Sequence, residues 1–262
     1  MNNRGPVLGG TRNLRFIRAM LRRSQKPNAN VDIAPYDFMQ RLAESKMHYY
    51  LACGQEEIGS IIIVGGYLGE EILPMMAVYP NARFLVFEAS RRYFETLRTK
   101  FSSMNRVTCV NMAVTDTCGK QAFYETSLTG SGSLLKLSAP AIGDYGAQQA
   151  ESFEVDTTTL DAYLDSSDEE RSVVDLLWCD VQGAELRVLK GATKTLERCR
   201  AVFLEISLWE RMYEGACLIS ELQEILRPAG FVLCGLGTDP LNGTGNALYI
   251  NPQRRGKKRM GL

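Results

Sequence analysis

Apolar positions along the chain follow two rhythms that alternate from Ser60 onward. "SIIIV" (60–64), "RFLVFE" (83–88) and "RVTCVN" (106–111) are short, nearly continuous apolar runs, whereas "EEILPMMAVY" (70–79) and "RRYFETLRTKF" (91–101) repeat their apolar residues at helical spacing. Continuous runs mark strands buried on both faces, and strands separated by helices imply a parallel sheet covered on both sides. After Asp116 the alternation lapses. "QAFYETS" and "SFEVDTTTL" predict extended segments, joined by the Gly/Ser-rich "LTGSGSLLKLSAP". The order resumes with "SVVDLLWCD" (172–180), a helix over 183–197, "RAVFLEIS" (200–207), a helix over 218–227, "GFVLCGL" (230–236) and a last strand, "NALYI" (246–250). The pattern predicts an α/β domain over residues 57–252, a helical extension over 1–56 and a tail over 253–262.

In the extension, "NLRFIRAMLRRSQ" places Leu14, Ile17 and Leu21 on one helical face and Arg15, Arg18, Arg22 and Arg23 elsewhere. Such a helix packs on the domain, lies on a membrane surface or forms part of a transit peptide, and the residues leave these open. "YDFMQRLAESKMHYYL" (36–51) reads as a second helix.

Charge sharpens the division. The 30 basic and 30 acidic residues balance, but residues 1–27 hold seven basic residues and residues 251–262 hold five, with no acid in either. The middle is therefore acidic, which argues against a nucleic-acid groove as its main surface. No apolar run reaches the roughly 20 residues that cross a bilayer, and the N-terminus lacks the apolar core of a secretory signal, so a cytoplasmic protein is expected. Seven cysteines without a CxxC pair read as reduced packing residues. A single histidine, His48, excludes a zinc site needing two imidazoles and leaves at most one for a Ser-His-Asp triad. No metal site is expected.

Candidate chemistry gathers where strands end. "SIIIVGGYLGEEI" runs a strand into Gly65, Gly66 and Gly69 and then toward a helix. A glycine turn there offers backbone N–H groups and a positive helix end to a ligand. Val64 replaces the first glycine of GxGxxG, so the dinucleotide fingerprint fails and a nicotinamide enzyme is disfavoured. Glu88 ends the second strand, where a carboxylate accepts the two hydroxyls of a ribose. Asp180 ends "VVDLLWCD" and Glu205 sits in "FLEIS" near the end of the next strand. Acids ending adjacent strands point into one cleft and are costly unless they bind something.

In order, "GGYLG", "FLVFEAS", "NMAVTDTCG", "TTLDAYL", "LLWCDVQGAELRVLKGA" and "LEISLWERMYEG" resemble the FkbM family of S-adenosylmethionine-dependent methyltransferases, over about Ile58 to Ile250. The resemblance implies a class I methyltransferase Rossmann-like fold, a mainly parallel seven-stranded sheet with its last strand antiparallel. It implies S-adenosyl-L-methionine as cofactor, held by Gly65, Gly66, Gly69 and Glu88, with adenine against Asn111, Met112 and Ala113. Known members methylate hydroxyls of sugars, glycolipid-type signals and macrolides, so a small-molecule or glycan acceptor is expected. The family's usual Asp-x-Gly-Ala start has Ile63 here, which leaves Tyr67, Glu70 or Glu71 to assist the cofactor's amino-acid end.

Alcohol methylation needs a proton acceptor, and the strand ends supply carboxylates: Asp180 first, Glu205 second, Glu185 third. Glu185 reads equally as an acid favoured at a helix start. Ser131 and Ser133 read as cofactor neighbours or as linker, and Trp209 and Tyr213 as a sugar-stacking wall or as core. A binding protein that kept the fold without its chemistry, and an RNA-directed enzyme, are the alternative readings.

Overall fold

The computed structural model describes residue 47 and residues 58–166, 173–209, 212–239 and 243–254. The basic helix expected at 13–25 and the tail past 254 lie outside these residues. Of the second expected helix only Met47 is described, helical and fully buried.

Seven strands form the main sheet: β1 (Ser60–Val64), β2 (Arg83–Phe87), β3 (Val107–Val110), β7 (Val174–Cys179), β8 (Cys199–Ser207), β9 (Val232–Thr238) and β10 (Thr244–Ile250). Their order is β3-β2-β1-β7-β8-β10-β9, and β10 runs antiparallel to both neighbours. This is the arrangement implied by the resemblance. The chain leaves β1 toward one edge and returns to fill the other, so β1 and β7 flank a topological switch point.

Both faces of the sheet are covered, as the continuous apolar strands require. Ile62, Val64, Leu85, Phe87, Leu177 and Cys179 face α5 (Glu185–Lys190), α6 (Thr193–Leu196) and α7 (Ile219–Leu226). Ile61, Ile63, Phe84, Val86, Leu176 and Trp178 face Met47, α1 (Ile72–Val78) and α2 (Arg91–Lys100). Trp178 stacks on Phe203 with ring centroids 4.3 Å apart.

The single helix expected over 183–197 is broken into α5 and α6. The break falls at Gly191, where a Cβ would stand 2.1 Å from the Thr115 carbonyl oxygen. The helix must yield to that crossing chain.

Between β3 and β7 the excursion folds into a three-stranded sheet of β4 (Ala113–Val114), β5 (Gly119–Thr126) and β6 (Gln149–Thr158), with β6 in the middle. The Gly/Ser-rich joint is more ordered than its composition predicts. It contains α3 (Ala139–Tyr145), started by Ser138 Oγ accepting the Ala141 N–H (3.3 Å) and stopped at Gly146 in the left-handed region. Thr159 similarly caps α4 (Leu160–Asp165) through the Ala162 N–H (3.0 Å).

Candidate active site

Strand register builds the site. Val110, Phe87, Val64, Cys179 and Leu204 lie in one row across β3, β2, β1, β7 and β8. The next residue of each strand is therefore Asn111, Glu88, Gly65, Asp180 and Glu205, side by side at the carboxyl edge. Five residues chosen from separate sequence segments thus share one level of one sheet.

A cleft of about 440 Å³, counted with the solvent at its mouth, opens over this row at the β1/β7 switch point. Gly65, Glu88 and Asp180 contribute to its walls, as do Met112 and Ala113. The excursion closes it with Phe123, Gly132 and Leu134, which sequence reasoning missed because their approach depends on the folding of β5 and β6.

Glu88 is 5% exposed, and two backbone donors fix its carboxylate: Tyr67 N–H to Oε2 (2.6 Å) and Ser90 N–H to Oε1 (2.8 Å). Asn111 takes a supporting place. Its Nδ2 donates to the carbonyl oxygens of Glu88 (2.8 Å) and Ala89 (3.1 Å), tying β3 to the end of β2.

The glycine loop differs from the expectation of free N–H groups. Gly65 and Gly66 donate to the Phe87 carbonyl oxygen (3.0 and 2.9 Å), Tyr67 to Glu88, and Gly69 to the Gly66 carbonyl oxygen (2.8 Å). The donors bind the loop to the second strand. Gly65, at φ +89°, is required because a Cβ would sit 1.9 Å from the Asp180 carbonyl oxygen. At Gly66 and Gly69 a Cβ would strike Leu97 of α2, so these glycines allow a helix to pack and do not wall the cleft.

Tyr67, in the left-handed region at φ 47°, is buried edge-on against Tyr93. Ile63 is fully buried between Val86 and Trp178. The position holding an acid in the family pattern therefore belongs to the core. Neither Tyr67, Glu70 nor Glu71 lines the cleft in compensation.

The turn after β7 gathers the acids. Gln182 Nε2 donates to Asp180 Oδ1 (2.7 Å) and to Glu205 Oε2 (2.6 Å). Asp180 is 9% exposed and Glu205 half-buried. The Tyr213 hydroxyl has Gln182 Oε1 (3.0 Å) and the Ser131 carbonyl oxygen (2.8 Å) within reach of its one proton.

Glu185 turns away from the cleft. Its Oε1 accepts the N–H groups of Val181 (2.9 Å) and Gly183 (3.3 Å), and the Cys217 thiol lies 3.8 Å from Oε2. Burial, opposed by these amides and reinforced by Asp180, pushes its carboxyl up to about 7. Burial also raises the thiols of Cys179 and Cys217, which makes them packing groups and poor nucleophiles.

Contacts fix the two serines of the excursion. Ser133 is 1% exposed and its hydroxyl lies within reach of the Gln182 (2.9 Å) and Val181 (3.3 Å) carbonyl oxygens, while Ser131 hydrogen-bonds Thr126. They anchor a wall. Tyr213 is 5% exposed, and Trp209 is 57% exposed with its ring over Gly243.

Among solved structures, the fold is similar to magnesium protoporphyrin IX methyltransferase from Synechocystis with S-adenosylmethionine bound. Identity there is 12% and the TM-score 0.46, over 96% of this chain and 100% of that one. It is also similar to Aeropyrum pernix fibrillarin with S-adenosyl-L-methionine, at 13% identity and TM-score 0.43, over 75% of this chain and 68% of that one. In sequence the chain is 25% identical to the 2-O-methyltransferase NoeI of Sinorhizobium fredii over 189 residues, 69% of this chain and 76% of that protein. The methyltransferase FkbM domain matches residues 53–233, and the chain therefore belongs to the FkbM family of S-adenosylmethionine-dependent methyltransferases.

Proposed function

We propose that this methyltransferase acts on a hydroxyl of a sugar, glycoconjugate or natural product, with Asp180 as proton acceptor. One observation carries the reading. Among the described residues lining the cleft, Glu88 and Asp180 are the ionisable ones, and they flank Gly65 from opposite sides.

The walls fit the cofactor. Glu88, set by two amides, suits the paired hydroxyls of a ribose, and Met112, Val114, Phe123 and Leu134 offer apolar surface for adenine. When bound, S-adenosylmethionine supplies a methyl group already activated by its sulfonium. The chain's part is then alignment and proton removal. With Glu88 assigned to ribose, Asp180 is left to accept the proton of an attacking hydroxyl as the methyl moves. The acids at this edge also favour a cation. NoeI, a 2-O-methyltransferase, supports oxygen as the target atom.

The test is methyl-labelled S-adenosylmethionine incubated with fractionated glycans, lipids, RNA and protein. Label should enter sugar-bearing or other hydroxylated small-molecule fractions and survive as a methyl ether. Label confined to RNA or protein would overturn the proposal.

A further inference from the structure

We propose that Gln182 is a positioning residue of this site: its amide, oriented by Tyr213, clamps Asp180 and Glu205 into one fixed pair. Asp180 and Glu205 follow registered residues on adjacent parallel strands. Neighbouring strands are about 4.8 Å apart, so carboxylates at the same level crowd and repel unless a donor stands between them. The Gln182 amide nitrogen has two hydrogens, and it meets one carboxylate at 2.7 Å and the other at 2.6 Å.

The amide's orientation follows from its other end. Oε1 lies 3.0 Å from the Tyr213 hydroxyl, which can donate to it. Reversing the amide would set its oxygen against two carboxylates. The backbone is committed to this placement: Gln182 has φ 58° and is followed by Gly183 at φ 94°. A non-glycine residue keeps that conformation only where its surroundings over-determine it. Here the Ser133 hydroxyl donates to the Gln182 carbonyl oxygen (2.9 Å), and the Cys217 N–H to that of Gly183 (3.2 Å). Since the Tyr213 hydroxyl also reaches Ser131 O, the clamp and the cleft wall share one group.

The catalytic meaning of the clamp rests on the reading of Asp180 as base, but its test requires no acceptor. In the full chain, carbon-13 resonances of the Asp180 and Glu205 carboxyl groups, assigned with Asp180→Asn and Glu205→Gln, would be followed by NMR against pH. Among the described residues, Glu185 and Cys179 on the same strand and turn, and Tyr213 after β8, are titratable groups that interact electrostatically with this pair. Gln182→Met keeps the length of the side chain and removes the donor. At least one of the two midpoints should then rise by about 1 unit or more, because the donor that the two carboxylates share is gone. Tyr213→Phe removes only the hydroxyl and should shift the same midpoint by less, and it carries the test alone if the methionine variant does not fold. Midpoints matching wild type in the folded variants would overturn the clamp. Methyl transfer confined to RNA or protein would sink the proposed function and leave this result unaffected.

Discussion

Replacing Glu185 by glutamine should flatten the dependence of stability on pH. Glu185 is 2% exposed, and its carboxyl is pushed from 4.5 up to about 7, chiefly by burial. Between those values the folded chain holds a proton that the unfolded chain has released. Stability therefore falls as pH rises through this window: the contribution is full below 4.5 and lost above 7. At 1.36 kcal/mol per unit, the full loss is about 3 kcal/mol, of which about 2–3 falls between pH 5 and pH 8. Glutamine leaves an oxygen to accept the Val181 and Gly183 N–H groups but cannot ionise. Urea unfolding of both proteins at several pH values measures the difference, from which other titrating groups cancel. The curves should converge near pH 5 and separate toward pH 8, with the variant more stable. Parallel curves would refute the assignment, and so would a variant with intact stability but turnover lowered a hundredfold, which would return Glu185 to the chemistry.

Asp180→Asn should lower turnover by about a hundredfold or more while melting temperature and cofactor affinity stay near wild type; an unfolded or fully active variant would move the base to Glu205. Glu88→Ala removes a charged hydrogen-bonding partner worth roughly 1.5–3 kcal/mol, so calorimetry should show S-adenosylmethionine affinity reduced about ten- to hundredfold. Gly65→Ala drives a Cβ to 1.9 Å from the Asp180 carbonyl oxygen at positive φ, and chemical denaturation should report a loss of about 3 kcal/mol or more. Arg200→Met strands Asp175 in the core and should cost about 3–5 kcal/mol by the same measurement.

The strand ends were legible because a parallel strand buried on both faces is apolar until it emerges. The first residue past the apolar run in "SIIIV", "RFLVF" and "VDLLWC", Gly65, Glu88 and Asp180 in turn, therefore marks one edge, and register brings those marks together. What stayed hidden depended on distant partners. The loop amides looked available in "GGYLG" because nothing local shows that Phe87 and Glu88 take them. Gly191 looked like a tolerated helix residue because Thr115 lies far away in sequence. Gln182 was visible in "DVQGAE", yet its meaning depends on Glu205 and Tyr213, 23 and 31 residues further on. Composition misled at "GSGSLL", where the small residues permit close packing of Ser133 and Gly132 against the site.

Strand β7 carries an acid near its start and another just past its end, and the two meet different partners. Asp175 meets the Arg200 guanidinium at 2.6 Å, with both side chains at least nine-tenths buried, and accepts the N–H groups of Gly59 and Ser60. Burial pushes the Asp175 carboxyl above its usual range, and the Gly59 and Ser60 amides and the adjacent guanidinium oppose that rise. Asp180 instead shares the neutral amide of Gln182 with a second carboxylate. The same strand thus joins a buried ion pair at the amino edge of the sheet to a carboxylate at its carboxyl edge, with the packed residues Leu176 to Cys179 between them.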